Sequence, residues 1–142
     1  MPDNIKRIIS FQLAAKASLI IYGIFIIFHL AVILGILFFN FVPIDYLWGG
    51  RMQTREQLLA YEIISLLIQF ICLILTLIKA KYLKLSKVET VAHIGMWVLF
   101  AIFLLNTAGN IFAKTIFEKM FAFVTAVLAI LTLRLALEKR SG

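Results

Sequence analysis

Residues 54–78 read TREQLLAYEIISLLIQFICLILTLI, and the fold follows from how this stretch distributes its residues. From Leu58 to Ile78 it stays apolar for the length a helix needs to cross a bilayer core, about 20 residues. Within it Glu62, Ser65, Gln69, Cys72 and Thr76 recur at 3-4-3-4 spacing, so they share one helix face. Just upstream, Thr54 is followed three residues later by Gln57, a capping-box pattern. In it the hydroxyl accepts from an orphan backbone N–H and the amide reaches back. The stretch reads as a transmembrane helix with a marked start and one polar face.

Three further apolar runs, near Ala17–Val42, Val88–Ile111 and Ile116–Leu137, have the same length property. Ser86 with Glu89, and Thr115 with Glu118, repeat the capping-box spacing before the last two. The first run is too long, and too poor in small residues at a cleavage position, for a signal peptide. The expected fold is all-α: one membrane domain over residues 1–142, a four-transmembrane-helix up-down bundle with short links. Residues 3–16, DNIKRIISFQLAAK, put Ile5, Ile8, Ile9 and Leu13 on one face. They suggest a short amphipathic helix in the membrane interface.

Composition agrees. Apolar residues make up 63 % and charged ones 15 %, against about 45–50 % and 25 % in soluble domains. The formal charge is +7, which could suggest nucleic acid, but its placement argues otherwise. Lys6, Arg7, Lys16, Lys79, Lys81, Lys84, Lys87, Lys139 and Arg140 would share one side, against Arg51, Arg55, Lys114 and Lys119 on the other. By the positive-inside bias the richer side is cytoplasmic, which puts both termini there; with the loop lengths and the absence of any Asn-x-Ser/Thr sequon this fits a bacterial cytoplasmic (inner) membrane. The lysines then mark topology and meet anionic head groups, and no nucleic-acid partner is expected.

Cys72 is the only cysteine, which excludes an internal disulfide or a CxxC pair. His29 falls near mid-membrane and His93 near an inner end, so paired haem ligation at matching depth is not expected. No cofactor or metal is. Arg134 is expected to snorkel to the inner head groups. The 43–53 link, PIDYLWGGRMQ, places Tyr46 and Trp48 where interfacial aromatics belong.

Polar groups inside hydrocarbon turn toward the bundle interior. Glu62 is the one carboxylate well inside a span, about a helical turn past the first apolar residue. A cation, a proton or a water-filled pocket must offset its cost, or else an ion pair with Arg51, Arg55 or Lys114. Asn40, Asn106 and Asn110 fall at a similar outer depth. The sharpest hypothesis is an outward-facing polar pocket around Glu62, Asn106 and Asn110, with Asn40, Arg51 and Lys114 at its rim and the WGGR loop as roof. It would bind or transport a proton, cation or small polar ligand, with a pathway forming between protomers of a homo-oligomer. The alternative is an accessory or assembly subunit of a larger membrane complex, in which the polar seam is structural. A membrane enzyme ranks third, for lack of a nucleophile or base set.

Overall fold

A computed structural model describes residues 4–5 and 8–139. Lys6, Arg7, Arg140 and part of the expected interfacial helix lie outside the described residues. The described chain is all helical and contains no strand. Its long helices are α1 (Phe11–Phe38), α2 (Arg55–Lys79), α3 (Glu89–Ile111) and α4 (Ile116–Ala136). All four are long and apolar enough to cross a membrane, the mark of a multi-pass membrane protein. Single 3₁₀ turns, Trp48–Gly50 and Ser86–Val88, punctuate two of the links.

The helix starts follow from their caps. Thr54 accepts from the Gln57 N–H at 3.2 Å, and the Gln57 side chain accepts from the Gln53 N–H, one residue before the cap. Thr115 accepts from the Glu118 N–H at 3.2 Å and donates its hydroxyl to the Glu118 carboxylate at 2.9 Å. The third expected box does not form. Ser86 opens the 3₁₀ turn instead, and α3 begins at Glu89 without a side-chain cap. α1 differs too. Ser10 accepts from the Leu13 N–H at 3.1 Å, so the helix begins at Phe11 and absorbs the end of the expected interfacial segment. Lys16, which had marked the boundary, is simply an exposed residue within it. At the other end α1 stops at Phe38, four residues short of Val42. Asn40 turns left-handed (φ 51°), a conformation asparagine tolerates at helix ends, and the Phe41 N–H returns to the Gly35 carbonyl at 3.0 Å.

One core joins all four helices through Tyr22, Cys72, Met96, Phe103, Leu128 and Leu135. The small residues Ala14, Ala15, Ala129 and Ala136 are buried in it and let the helices approach closely. α3 and α4, joined by residues 112–115, form the most extensive pairing, and Thr107 donates to Thr125 across it at 3.0 Å. α1 and α2 form the next most extensive pairing. α2 and α3 meet closely where Gly95 faces Leu75: a β-carbon on Gly95 would lie 2.9 Å from Leu75 Cδ1. Away from that crossing, toward the start of α2 and the end of α3, a cavity parts them. The outer faces carry exposed Ile24, Ile27, Leu67, Leu105 and Phe123, a surface suited to lipid.

Arg134 departs from expectation. It is 6 % exposed, donates to the Ile9 carbonyl and the Glu138 carboxylate at 2.8 Å each, and lies 5.8 Å over the Phe11 ring. It ties the end of α4 to the chain before α1 rather than reaching outward.

The two kinds of helix start give a direct test. Thr115→Ala removes a working cap and lowers unfolding free energy by about 1 kcal/mol. Ser86→Ala removes none and stays within about 0.5 kcal/mol of the parent. Equilibrium unfolding in mixed micelles reads both.

Candidate functional site

The cap at Thr54 sets the start of α2 and thereby the direction of Glu62. Leu58, one turn earlier on the same face, is fully buried against Val32 and Ile36 of α1 and Leu47 of the 43–53 link. Glu62 therefore points the same way, toward α1 and the link, and is 1 % exposed.

A buried carboxylate needs donors, and two residues supply them. His29 Nδ1 on α1 lies 2.6 Å from Glu62 Oε2. Trp48 Nε1 on the link donates to Glu62 Oε1 at 2.9 Å. Each oxygen thus takes one bond, from a different segment of the chain. Whether His29 carries one ring proton or two, this contact places a proton between Nδ1 and the carboxylate.

The link is shaped to deliver Trp48. Trp48, Gly49 and Gly50 are successively left-handed (φ 55°, 70° and 63°). For the glycines this is free of steric cost, whereas for tryptophan such backbone strain is of order 1–3 kcal/mol. The bond to Glu62, an edge-on contact with Tyr61 at 5.3 Å and burial of the preceding Leu47 offset it. Arg55 donates to the Ile36 carbonyl at 2.7 Å and ties the end of α1 to the start of α2.

Beside the carboxylate is a cavity of about 790 Å³ between α2 and α3, backed by α1 and α4. Glu62, His29, Trp48, Asn106, Asn110 and Glu118 give it polar character at one end. Ser65 and Gln69 continue the α2 stripe along its wall, Thr125 of α4 faces the same space, and most of the rest is apolar, with Phe28, Ile71, Val98 and Phe103 among the lining.

Of the residues singled out from sequence, Glu62, Asn106 and Asn110 line this one cavity; Asn40, Arg51 and Lys114 do not. Asn40 is the exposed turn residue after α1. Arg51 is exposed, with its side chain and the Glu118 carboxylate both close to Gly49. Lys114 is exposed in the 112–115 link. The cations proposed for a structural ion pair are thus not the partners of Glu62; His29 is. His93, the second histidine, lies 2.9 Å from Lys79. Among the described residues no cluster of three histidine, cysteine or acidic side chains could hold a metal ion.

Sequence reasoning missed His29 and Trp48 as ligands of the carboxylate. Depth was the usable signal for the first. His29 is nine residues before the end of α1 and Glu62 seven after the start of α2, which puts both about 10–14 Å from their connecting link. Nothing local marked Trp48, whose indole direction depends on the left-handed turn.

Trp48→Phe tests how the loop is held. It removes a hydrogen bond to a charged group, worth about 1.5–3 kcal/mol. The melting temperature falls, and amide exchange over residues 43–53 rises well above that over α3.

Compared with models of known protein families, with curated proteins and with solved structures, the chain has no significant match to any.

Proposed function

We propose that this chain is a small polytopic membrane protein whose polar pocket binds or transports a proton, cation or small polar ligand through Glu62. In this reading the four helices run up and down through a bacterial inner membrane with both termini cytoplasmic, and the Glu62 end of the cavity faces outward. The excess of lysine and arginine over residues 79–87 and near the termini supports that orientation.

One observation carries the reading. A carboxylate that is 1 % exposed lies within an apolar helix and borders a large cavity instead of packing into the core. An ionised carboxylate has about four acceptor positions, and the described residues fill two of them. The remaining ones are available to a ligand donor. His29 Nδ1 holds one carboxylate oxygen from the α1 side. Asn106 and Asn110 offer amide groups at the same cavity. A purely structural pair would be expected to close around itself, since unfilled hydrogen-bonding capacity at depth is costly.

A second reading, an accessory or assembly subunit with a structural seam, draws on α4. Thr125 and Thr132 donate to carbonyls of their own helix, and Thr107 joins Thr125 across the α3–α4 contact. Those hydroxyls bond within the bundle, although Thr125 also borders the cavity.

The deciding experiment melts detergent-purified wild type and Glu62→Gln with added sodium, methylammonium or guanidinium. At a hundredfold excess over its dissociation constant a ligand adds about 2.7 kcal/mol. At least one cation stabilises wild type by such a margin and leaves Glu62→Gln unmoved. Identical responses of both proteins to every cation, with a partner protein in the preparation, favour the accessory subunit. Orientation has its own check in a Cys72→Ser background. Lys84→Cys reacts with an impermeant maleimide only from the cytoplasmic face, and Arg51→Cys only from the outer one.

A further inference from the structure

The cavity is the wrong size for a proton or a small ion alone. At about 790 Å³ it exceeds the ~30 Å³ share of one water many times over. It falls in the range of sites for drug-sized ligands, about 300–1,000 Å³. Its ionisable groups, Glu62, His29 and Glu118, gather at one end, while its length is mostly apolar with Ser65, Gln69 and Thr125 along the wall, so it has the polarity of an amphiphile. From Glu62 the lining follows α2 down to Leu75, thirteen residues on, or about 20 Å. The Leu75–Gly95 crossing narrows it at that end, with Val91 and Ile94 of α3 still among the lining. Ile68 and Ile71 on α2, and Ile94 and Val98 on α3, are lining residues that are also exposed on the outer flank. The cavity thus opens sideways, between two helices whose outer faces suit lipid.

The head that fits is set by the acceptors. Glu62 has unfilled acceptor positions. Gln69, on the same face two turns below, has a buried side-chain oxygen with no hydrogen-bond partner among the described residues. Buried acceptors of this kind call for a donor. The Glu62 and Glu118 carboxylates at the polar end disfavour an anionic head.

We propose that the cavity takes a membrane-dissolved amphiphile with a protonated-amine head, entering between α2 and α3. The head donates directly to Glu62 and, through one bridging water, to Gln69 Oε1 about 10 Å deeper on the same face, and the apolar body lies against Phe28, Ile71 and Val98. This rests on the reading of Glu62 as the ligand-binding group and adds to it the class of ligand. Two sources share the chemistry, a free lipophilic amine and the ethanolamine head of a membrane lipid.

The test uses full-length protein in a Trp97→Phe background, which leaves Trp48, bonded to Glu62, as the sole tryptophan. Decylamine, decyltrimethylammonium, decanol and methylammonium are titrated against its fluorescence. Decylamine saturates the signal and binds at least tenfold tighter than decanol or methylammonium, with the donor-free quaternary amine in between. Glu62→Gln weakens decylamine at least tenfold. So does Gln69→Leu, which leaves the Glu62 contacts in place and retains the parental melting temperature. In nanodiscs, competition by ethanolamine but not choline lipids marks the lipid as the source; no competition marks the free amine. Equal binding of decanol and decylamine overturns the proposal, as does unaltered decylamine affinity in folded Gln69→Leu. A dimer whose interface excludes decylamine also overturns it and makes a second copy the occupant. If methylammonium acts through Glu62 while decylamine binds no better, the amphiphile falls and the cation reading stands. If no probe depends on Glu62, both fall.

Discussion

The contact of Glu62 with His29 and Trp48 is the constraint on which the rest of this end of the molecule depends. An ionisable group about two turns inside an apolar helix costs several kcal/mol unless donors are brought to it. The donors come from α1 and from the 43–53 link. One carboxylate therefore fixes the rotation of α2 against α1 and the seat of a loop whose tryptophan backbone is strained. Leu58, one turn earlier, reinforces the same orientation by burial against Val32 and Ile36.

Around that contact the bundle is uneven. α3 and α4 are joined by a short link and bonded through Thr107 and Thr125, and α1 and α2 are held by Glu62, Arg55 and the buried Leu47. Between these two pairs, α2 and α3 touch closely at Gly95 and Leu75 and are parted by the cavity elsewhere. The polar stripe of α2 serves two ends accordingly. Thr76 is buried in the core, Ser65 and Gln69 line the cavity, and buried Cys72 sits where the two meet. Packing and cavity lining thus share one helix face.

The four helices were legible because their signals are local: an apolar run of sufficient length and, for α2 and α4, a Thr cap with its partner three residues on. Ser86 carried the same letters without the same structure, since a 3₁₀ turn carries the chain into α3. The early start of α1 was hidden by Lys16, a lone cation that looks like a boundary but sits exposed within the helix. Spacing alone placed Glu62 on the polar face of α2, and comparable depth placed Asn106 and Asn110 near it. The partners of Glu62 were harder. His29 is 33 residues away on another helix, and its role depends on the rotation of α1. The position of the Trp48 indole depends on three consecutive left-handed residues that no propensity specifies. Asn40 looked like a pocket residue because apolar sequence continues past it, whereas its backbone turns there and ends the helix.

The central claim is that Glu62 and His29 act as one energetic unit at depth. A double-mutant cycle of His29→Phe and Glu62→Gln, read by equilibrium unfolding in one micelle system, measures this directly. Residues in one buried network couple by about 0.5–3 kcal/mol. A coupling in the upper half of that range is expected, with the double variant less destabilised than the two single changes together. Effects that add to within about 0.5 kcal/mol would show that the two side chains stand side by side without holding one another, and would contradict the account.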